Sequence, residues 1–455
     1  MRTAAKRTRW GGIADRPLHS TGRFRVADEH GIAWLVDPDG GRFLSMGVNT
    51  VRFDQDEIQG TKLAPYAEHC WHKYGGIERW RAAVAERLAR WGFNTLGAWS
   101  DEAVAKAGPP LAIAPNLDLG MSFAWARNNE DRLAPRHEFP DVFDPAFATH
   151  VIERTHERCA PRAAEPAVIG WFTDNELRWG PDWRGPEELL TLFLNLRANT
   201  PGRRGALEWL RQRHADIPAF NAAWGTKAHA WDDVATVSHF APRHHRDPPY
   251  LRDAKAERDA NRAEPARAAF CADCDDFAAM VAERYFAVTA SALRDADAGH
   301  LVLGSRFAYP PAAAIVDAAA RHADVVSFNC YDPSPAGALA HYARCGRPLL
   351  IGEFSFRAAD SGLPNTRGAG PVVADQAARA AAYRDYVTRA LRHPHVVGCH
   401  WFEHADQPAE GRFDGENSNF GTVSIDDHVY VELTTAMTDL NAAAEALHGA
   451  AAAGA

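Results

Sequence analysis

The chain has 455 residues, of which 46% are hydrophobic and 24% charged, with a formal net charge of -9. This is ordinary globular usage, long enough for a large core, and it excludes fibrous and disordered classes for the bulk of the chain. With no basic block and no apolar run near the ~20 residues of a membrane span, neither a nucleic acid nor a bilayer is the expected partner.

The start, MRTAAKRTRWGG, is basic but runs into polar IADRPLHSTGR, without the apolar stretch of a signal peptide. A cytoplasmic location is the expectation. The seven cysteines, Cys70, Cys159, Cys271, Cys274, Cys330, Cys345 and Cys399, are an odd, scattered set that suits free thiols. The fourteen tryptophans suit core packing, and sugar stacking as well.

In chain order, residues 1–41 are an N-terminal extension. Within it GRFRVADEHGIAWLVDPDGGRF alternates and turns at Pro38-Asp39-Gly40-Gly41, which predicts a β-hairpin. Eight apolar runs then predict strands at 42–50, 93–100, 111–117, 167–176, 300–307, 325–331, 348–356 and 396–403. Helical patterns lie between and after them, at 77–91, 143–159, 266–295, 312–322, 336–345, 373–392 and 432–447. Eight βα units predict a TIM (β/α)8 barrel spanning 42–447. A doubly wound open sheet is the alternative, but MGVNTV and LGAWSD lack its phosphate-binding glycine turn. Residues 177–265 form a long, partly helical insertion after strand four, expected to wall the active face. The tail 448–455, HGAAAAGA, is expected to be disordered.

Catalytic groups of such barrels sit at the carboxyl ends of strands. Strand four ends Asp174-Asn175-Glu176, strand seven carries Gly352-Glu353-Phe354-Ser355, and strand eight ends Trp401-Phe402-Glu403-His404. A carboxylate at the end of an apolar strand is costly unless paired or functional. Glu176 and Glu353 would face each other across the barrel mouth. Two carboxyl groups about 5–5.5 Å apart are what a retaining glycosidase needs. The competing reading is a buried ion-pair network.

Asn-Glu on strand four with Glu on strand seven resembles glycoside hydrolase clan A. The strings GWFTDNELRWG (170–180), IGEFSF (351–356) and HWFEHADQPAEGRFDGENSNFG (400–421) resemble the β-agarase family, family 50. AFNAAWGT (219–226) is similar to a segment of clan A β-galactosidases. The resemblance runs roughly from residue 42 to 447, without the larger β-sandwich module of the agarases. It implies a retaining β-glycosidase, with Glu176 as acid/base and Glu353 as nucleophile. Asn175 would hold the substrate 2-hydroxyl, Tyr331 would hydrogen-bond Glu353, and Trp401 would floor the sugar. Trp99, Arg306, Asn329, His404, Glu416, Asn417 and Asn419 become candidate sugar contacts, and Trp179 and Trp183 candidates for a neighbouring subsite. The implied substrate is a β-galactosidic, agar-type oligosaccharide, short if the protein is cytoplasmic.

Other readings fit less well. His400-Trp-Phe-Glu403-His404 matches a zinc-protease string, but on a strand its two histidines stand about 13 Å apart. Cys271-Ala-Asp-Cys274 has no second pair, and no metal or cofactor is expected. Gly352–Phe356 lacks the glycine-flanked serine of a nucleophile elbow. Other clan A specificities, β-glucosidic or β-mannosidic, stay open. So does a non-catalytic carbohydrate-binding barrel, which loss of either glutamate would have signalled. A metal-dependent barrel hydrolase would want His-x-His on strand one, where MGVNT has none.

Overall fold

The computed structural model describes residues 6–15, 17–131, 139–185, 187–235, 260 and 262–451. Strands β1 (Arg25–Glu29), β2 (Ile32–Val36) and β3 (Arg42–Phe43) form a three-stranded antiparallel sheet. The expected turn at 38–41 is its second turn. There the Asp37 carboxylate accepts from the backbone N–H groups of Asp39 and Gly41. The first turn passes through His30-Gly31, both at positive φ. Ala33 N–H donates to Pro394 O, which fixes this sheet beside the start of the last strand.

Eight further strands fall inside the eight predicted ranges: β4 (Ser45–Val48), β5 (Thr95–Leu96), β6 (Ala112–Ile113), β7 (Gly170–Asn175), β8 (Leu301–Arg306), β9 (Val326–Asn329), β10 (Leu349–Phe354) and, after the short pair β11 (Arg357–Ala358) and β12 (Val372–Val373), β13 (Val396–Trp401). The fold is α/β with parallel sheets. Six strands make one parallel sheet in the order β6-β5-β4-β13-β10-β9, and β7 and β8 make a separate parallel pair. Isolated parallel bridges join Ile113 to Val168, Asn116 to Phe172 and Phe307 to Phe328. The expected eight-stranded barrel is therefore not present as one continuous ladder. Register shifts interrupt β7–β8 and β9–β10, and β5 and β6 are two residues each, so regular ladder pairing stops short between the sheets.

The helices follow their local signals. Asp144 caps Pro145–Arg158 by accepting from Ala146 N–H, with Pro145 at the first position, and Phe147, Val151 and Thr155 recur every four residues on the buried face. Asp375 likewise caps Gln376–Leu391. The crossover between β5 and β6 carries only a short 3-10 helix, Glu102–Lys106.

In the insertion, helices Leu189–Leu194, Pro201–Arg213 and Ile217–Trp224 pack against the 29-residue helix Ala268–Ala296 or each other. The segment 219–226 is structural here. Trp224 is buried and its indole N–H donates to Asp273 at 2.7 Å. Most of the polar stretch 244–265 lies outside the described residues.

The last helix, Val431–Gly449, passes through the point where the tail was expected. His448 is buried, with its ring nitrogens 2.9 and 2.8 Å from the carbonyl oxygens of Leu391 and Ala33. Residues 452–455 lie outside the described residues.

One ion cluster clamps the start of this helix to the first crossover. Asp427 is buried at positive φ. It takes two bonds from Arg87, at 2.6 and 2.9 Å, and others from Lys73, Tyr74 and Tyr66. Burial raises the Asp427 pKa, but the hydrogen bonds and charge of Arg87, with those of Lys73 and Tyr74, outweigh it and hold the carboxyl well below the usual range. Asp427→Asn keeps a residue that tolerates this φ and removes only the charge, leaving Arg87 buried without its counter-ion. It should cost about 3–5 kcal/mol in urea denaturation. Because the native pKa is depressed, the Asp427 contribution is complete well above the unfolded value of about 3.9 and is lost as pH falls below it. The gap between the two proteins should therefore narrow below about pH 4.

Candidate active site

Side chains alternate across a strand, and this phase decides which groups share the site. On β10, Phe354 stacks on Tyr386 of the helix Gln376–Leu391, whereas Glu353 points to the opposite face. On β13, His400 faces Ser45 and Gly47, whereas Trp401 faces that same helix. The result is a polar centre at the carboxyl ends of β7 to β10.

Glu176 follows β7 directly, with φ 52°. Its N–H donates to Arg306 O and its C=O accepts from Arg184 Nη1 at 2.8 Å. Asn329, at the end of β9, donates through one amide to Glu176 Oε1 at 2.9 Å and Asn175 Oδ1 at 3.0 Å. In register, Asn329 is the partner of Glu353. Both expected carboxylates are thus neighbours of one buried amide.

Glu353 is 4% exposed. Its Oε2 accepts from the Tyr331 hydroxyl at 2.6 Å. Its Oε1 lies 3.1 Å from Arg306 Nη2 but takes no hydrogen bond of good geometry. Arg306 is fully buried. Its guanidinium lies 4.4 Å from the Trp99 ring centre and 5.2 Å from that of Phe172, and it donates to Gly352 O at 3.3 Å. Asn49, at the end of β4, donates to the same carbonyl. Gly352 is sterically required: a Cβ there would sit 2.6 Å from Arg306 Cδ and 2.9 Å from Asn329 Oδ1.

Burial raises the pKa of both glutamates. Glu353 is pushed up to about 7 by burial and by the charge of Glu176, against the pull of Arg306 and Tyr331. Glu176 is also raised by burial, opposed first by its bond from Asn329. The two titrate as a pair. Arg306 and Tyr331 favour the ionised form of Glu353, and Asn329, Arg184 and Arg306 favour that of Glu176.

The structure brings Glu176, Glu353, Asn175, Asn329, Arg306, Tyr331 and Trp99 together. Trp99 is half-buried, and beyond it opens a cavity of about 580 Å³ lined by residues that include Arg52, Asp101, Asn116 and Asp118. Four expected contacts are instead buried, with their polar atoms or rings engaged elsewhere, and a fifth, Asn417, is part-buried and bonded to Thr366. Trp401 is 0% exposed. It donates to Phe420 O and packs edge-on against Phe354 and Tyr383, because the strand phase turns it away from the glutamates. His404 is fully buried, within 3.2 Å of the Tyr66 hydroxyl, and burial lowers its pKa to about 3. Asn419 is fully buried, and its side chain bonds Ala358 N–H, Gln376 and Asp406. Asn417 ties its own loop to Thr366 and Arg367. Trp179 is buried and stacks on Phe286.

Glu416 joins a group the sequence reading missed. Arg412 contacts it at 2.7 Å and lies 3.8 and 3.9 Å from Glu403 and Asp56, while Gln407 bridges Glu403 and Glu416. Four of these residues share the stretch 403–416, and the tertiary fold brings Asp56 to them. The sequence reading also missed Arg184. Among the described residues no cluster of three or more His, Cys, Asp or Glu could hold a metal ion.

No family model matches the chain. The chain is 31% identical over 480 residues to β-agarase A of Vibrio sp. (strain JT0107), covering 91% of this chain and 45% of that protein. It is 28% identical over 502 residues to β-agarase B of the same organism, covering 96% of this chain and 50% of that protein. The chain spans about half the length of these curated relatives. In fold it resembles a solved exo-β-agarase, with TM-score 0.77 and 24% identity over 97% of this chain and 68% of that one. The chain therefore resembles β-agarases in sequence and in fold.

The Tyr331 hydroxyl bond lowers the Glu353 pKa, so its removal must raise it. In Tyr331→Phe, a pH titration of the carboxyl followed by carbon NMR should show Glu353 ionising at higher pH than in the unaltered protein. An unchanged midpoint would show that the bond does not stabilise the carboxylate.

Proposed function

We propose that the chain is a retaining β-glycoside hydrolase acting on β-galactosidic linkages of agar-type or related short oligosaccharides. One observation carries the reading. A single buried amide, Asn329, bonds Glu176 and is the register partner of Glu353, so two carboxyl groups face one small space with opposite environments. The likeness to β-agarases supports the substrate class. The isolated bridges that join β6 to β7 and β8 to β9 support a (β/α)8 barrel, with residues 42–447 as one catalytic unit.

In this reading Glu176 donates its proton to the glycosidic oxygen while the Glu353 carboxylate attacks the anomeric carbon. The leaving sugar departs as an alcohol and a glycosyl ester forms on Glu353. Glu176, now a carboxylate, takes a proton from water. The water oxygen attacks the same carbon and frees Glu353. Two displacements at one carbon restore the β configuration. Glu353 is suited to attack because the Arg306 guanidinium and the Tyr331 hydroxyl both favour its ionised form. Asn175 is placed to hold the 2-hydroxyl, a contact that strengthens in the transition state.

A panel of aryl β-glycosides and agaro-oligosaccharides, with the first-formed anomer read by NMR, tests the reaction. The expected product is β; an early α product would overturn the nucleophile role of Glu353. The two roles separate further with azide. Glu353→Gly should yield an α-glycosyl azide from an activated β-substrate, and Glu176→Ala a β-glycosyl azide. Loss of general acid help of about 10²–10⁴-fold should strike natural sugar leaving groups far harder than dinitrophenolate. The same azide anomer from both variants would reject the assignment.

A further inference from the structure

Beyond the two glutamates, on the side of Glu176, the chain makes a small braced hairpin. Asp182 and Gly185 exchange both backbone hydrogen bonds, at 3.0 and 3.1 Å, leaving Trp183 and Arg184 at the tip. The base is held by fully buried Arg178, which bonds Glu187 at 2.9 Å and lies 3.8 Å from Asp182. Arg184 pairs with Asp182 at 2.6 Å, donates to Glu176 O at 2.8 Å, and carries its guanidinium 4.4 Å from the Trp183 ring centre. Trp183 in turn meets Tyr309, with ring centres 5.4 Å apart and planes inclined by 53°. Tyr309 follows β8 and is followed by Pro310-Pro311, which limit its backbone freedom. Tyr309 is 44% exposed.

We propose that Trp183 and Tyr309 form the binding platform for the sugar on the leaving-group side of the scissile bond. The inference rests on the glycosidase reading above and adds direction to it. The acid/base residue donates to the oxygen that departs, so the departing sugar lies on its side of the bond. Arg184 ties the Trp183 hairpin to the backbone of that residue. An aromatic pair held there offers flat apolar surface to the C–H face of a neutral pyranose. The separate cavity beyond Trp99 adjoins the ring that covers Arg306 and does not include Trp183 or Tyr309.

The test compares two substrates that each transfer a β-galactosyl anomeric carbon to Glu353. An agaro-oligosaccharide has a sugar leaving group, whereas β-galactosyl fluoride has a single atom and cannot occupy the platform. In Trp183→Ala and in Tyr309→Ala, the ratio of kcat/KM on the oligosaccharide to that on the fluoride should fall about tenfold. Trp183→Phe, which keeps a ring, should restore most of the ratio. An unchanged ratio, or equal losses on both substrates, would overturn the inference. The second result would mean that the hairpin acts only by positioning Glu176. If the unaltered protein cleaves neither substrate, the glycosidase reading fails first and this inference with it.

Discussion

The ion pair between Arg306 and Glu353 is the constraint around which the centre of the molecule is arranged. A guanidinium with no exposure must have its charge answered locally, and removal of one partner from such a pair leaves an uncompensated buried charge. The two rings of Phe172 and Trp99, the carbonyl of Gly352 and the carboxylate of Glu353 together answer it. Gly352 has no side chain because Arg306 and Asn329 occupy that space. Asn49 holds the same carbonyl from the neighbouring side, so strands β4, β8, β9 and β10 all meet at one point.

This arrangement gives the two glutamates different surroundings. Both are buried, which favours the proton. Only Glu353 has a cation and a hydroxyl directed at it, whereas Glu176 has a neutral amide from Asn329 and a more distant charge from Arg184 and Arg306.

The outer charges serve other ends. Asp427 draws Arg87, Lys73 and two tyrosines into one knot that joins the first crossover to the start of the last helix. Arg412 gathers Glu403, Glu416, Asp56 and Asp414 on the flank nearest Tyr331 and Phe402. The guanidinium of Arg412 lies 5.5 Å from the Phe402 ring centre, and Phe402 meets Tyr331 edge-on. The loop of residues 405–419 is thereby fixed against the tyrosine that holds Glu353.

The sequence by itself determined the order and type of the elements. Apolar runs of strand length and capped helices of period 3.6 are local signals, and all eight expected strands lie on strands of the structure. Glu176, Glu353, Asn175 and Tyr331 were legible too, because a polar group at the end of a buried run stands out against its neighbours. Tertiary structure alone decided the rest. Whether Trp401 meets a sugar or a helix depends on strand phase, and a continuous apolar strand carries no alternation from which to read that phase. His404 and Asn419 sit in strings of polar residues that look like a binding loop, yet their atoms are consumed in holding the loop to its neighbours. Arg306 finds Gly352 across 46 positions of chain and Arg412 finds Asp56 across 356, distances at which no sequence spacing carries information about contact. The ladder also broke where the periodicity predicted continuity, because register between parallel strands is set by the packing of both faces and not by either strand alone.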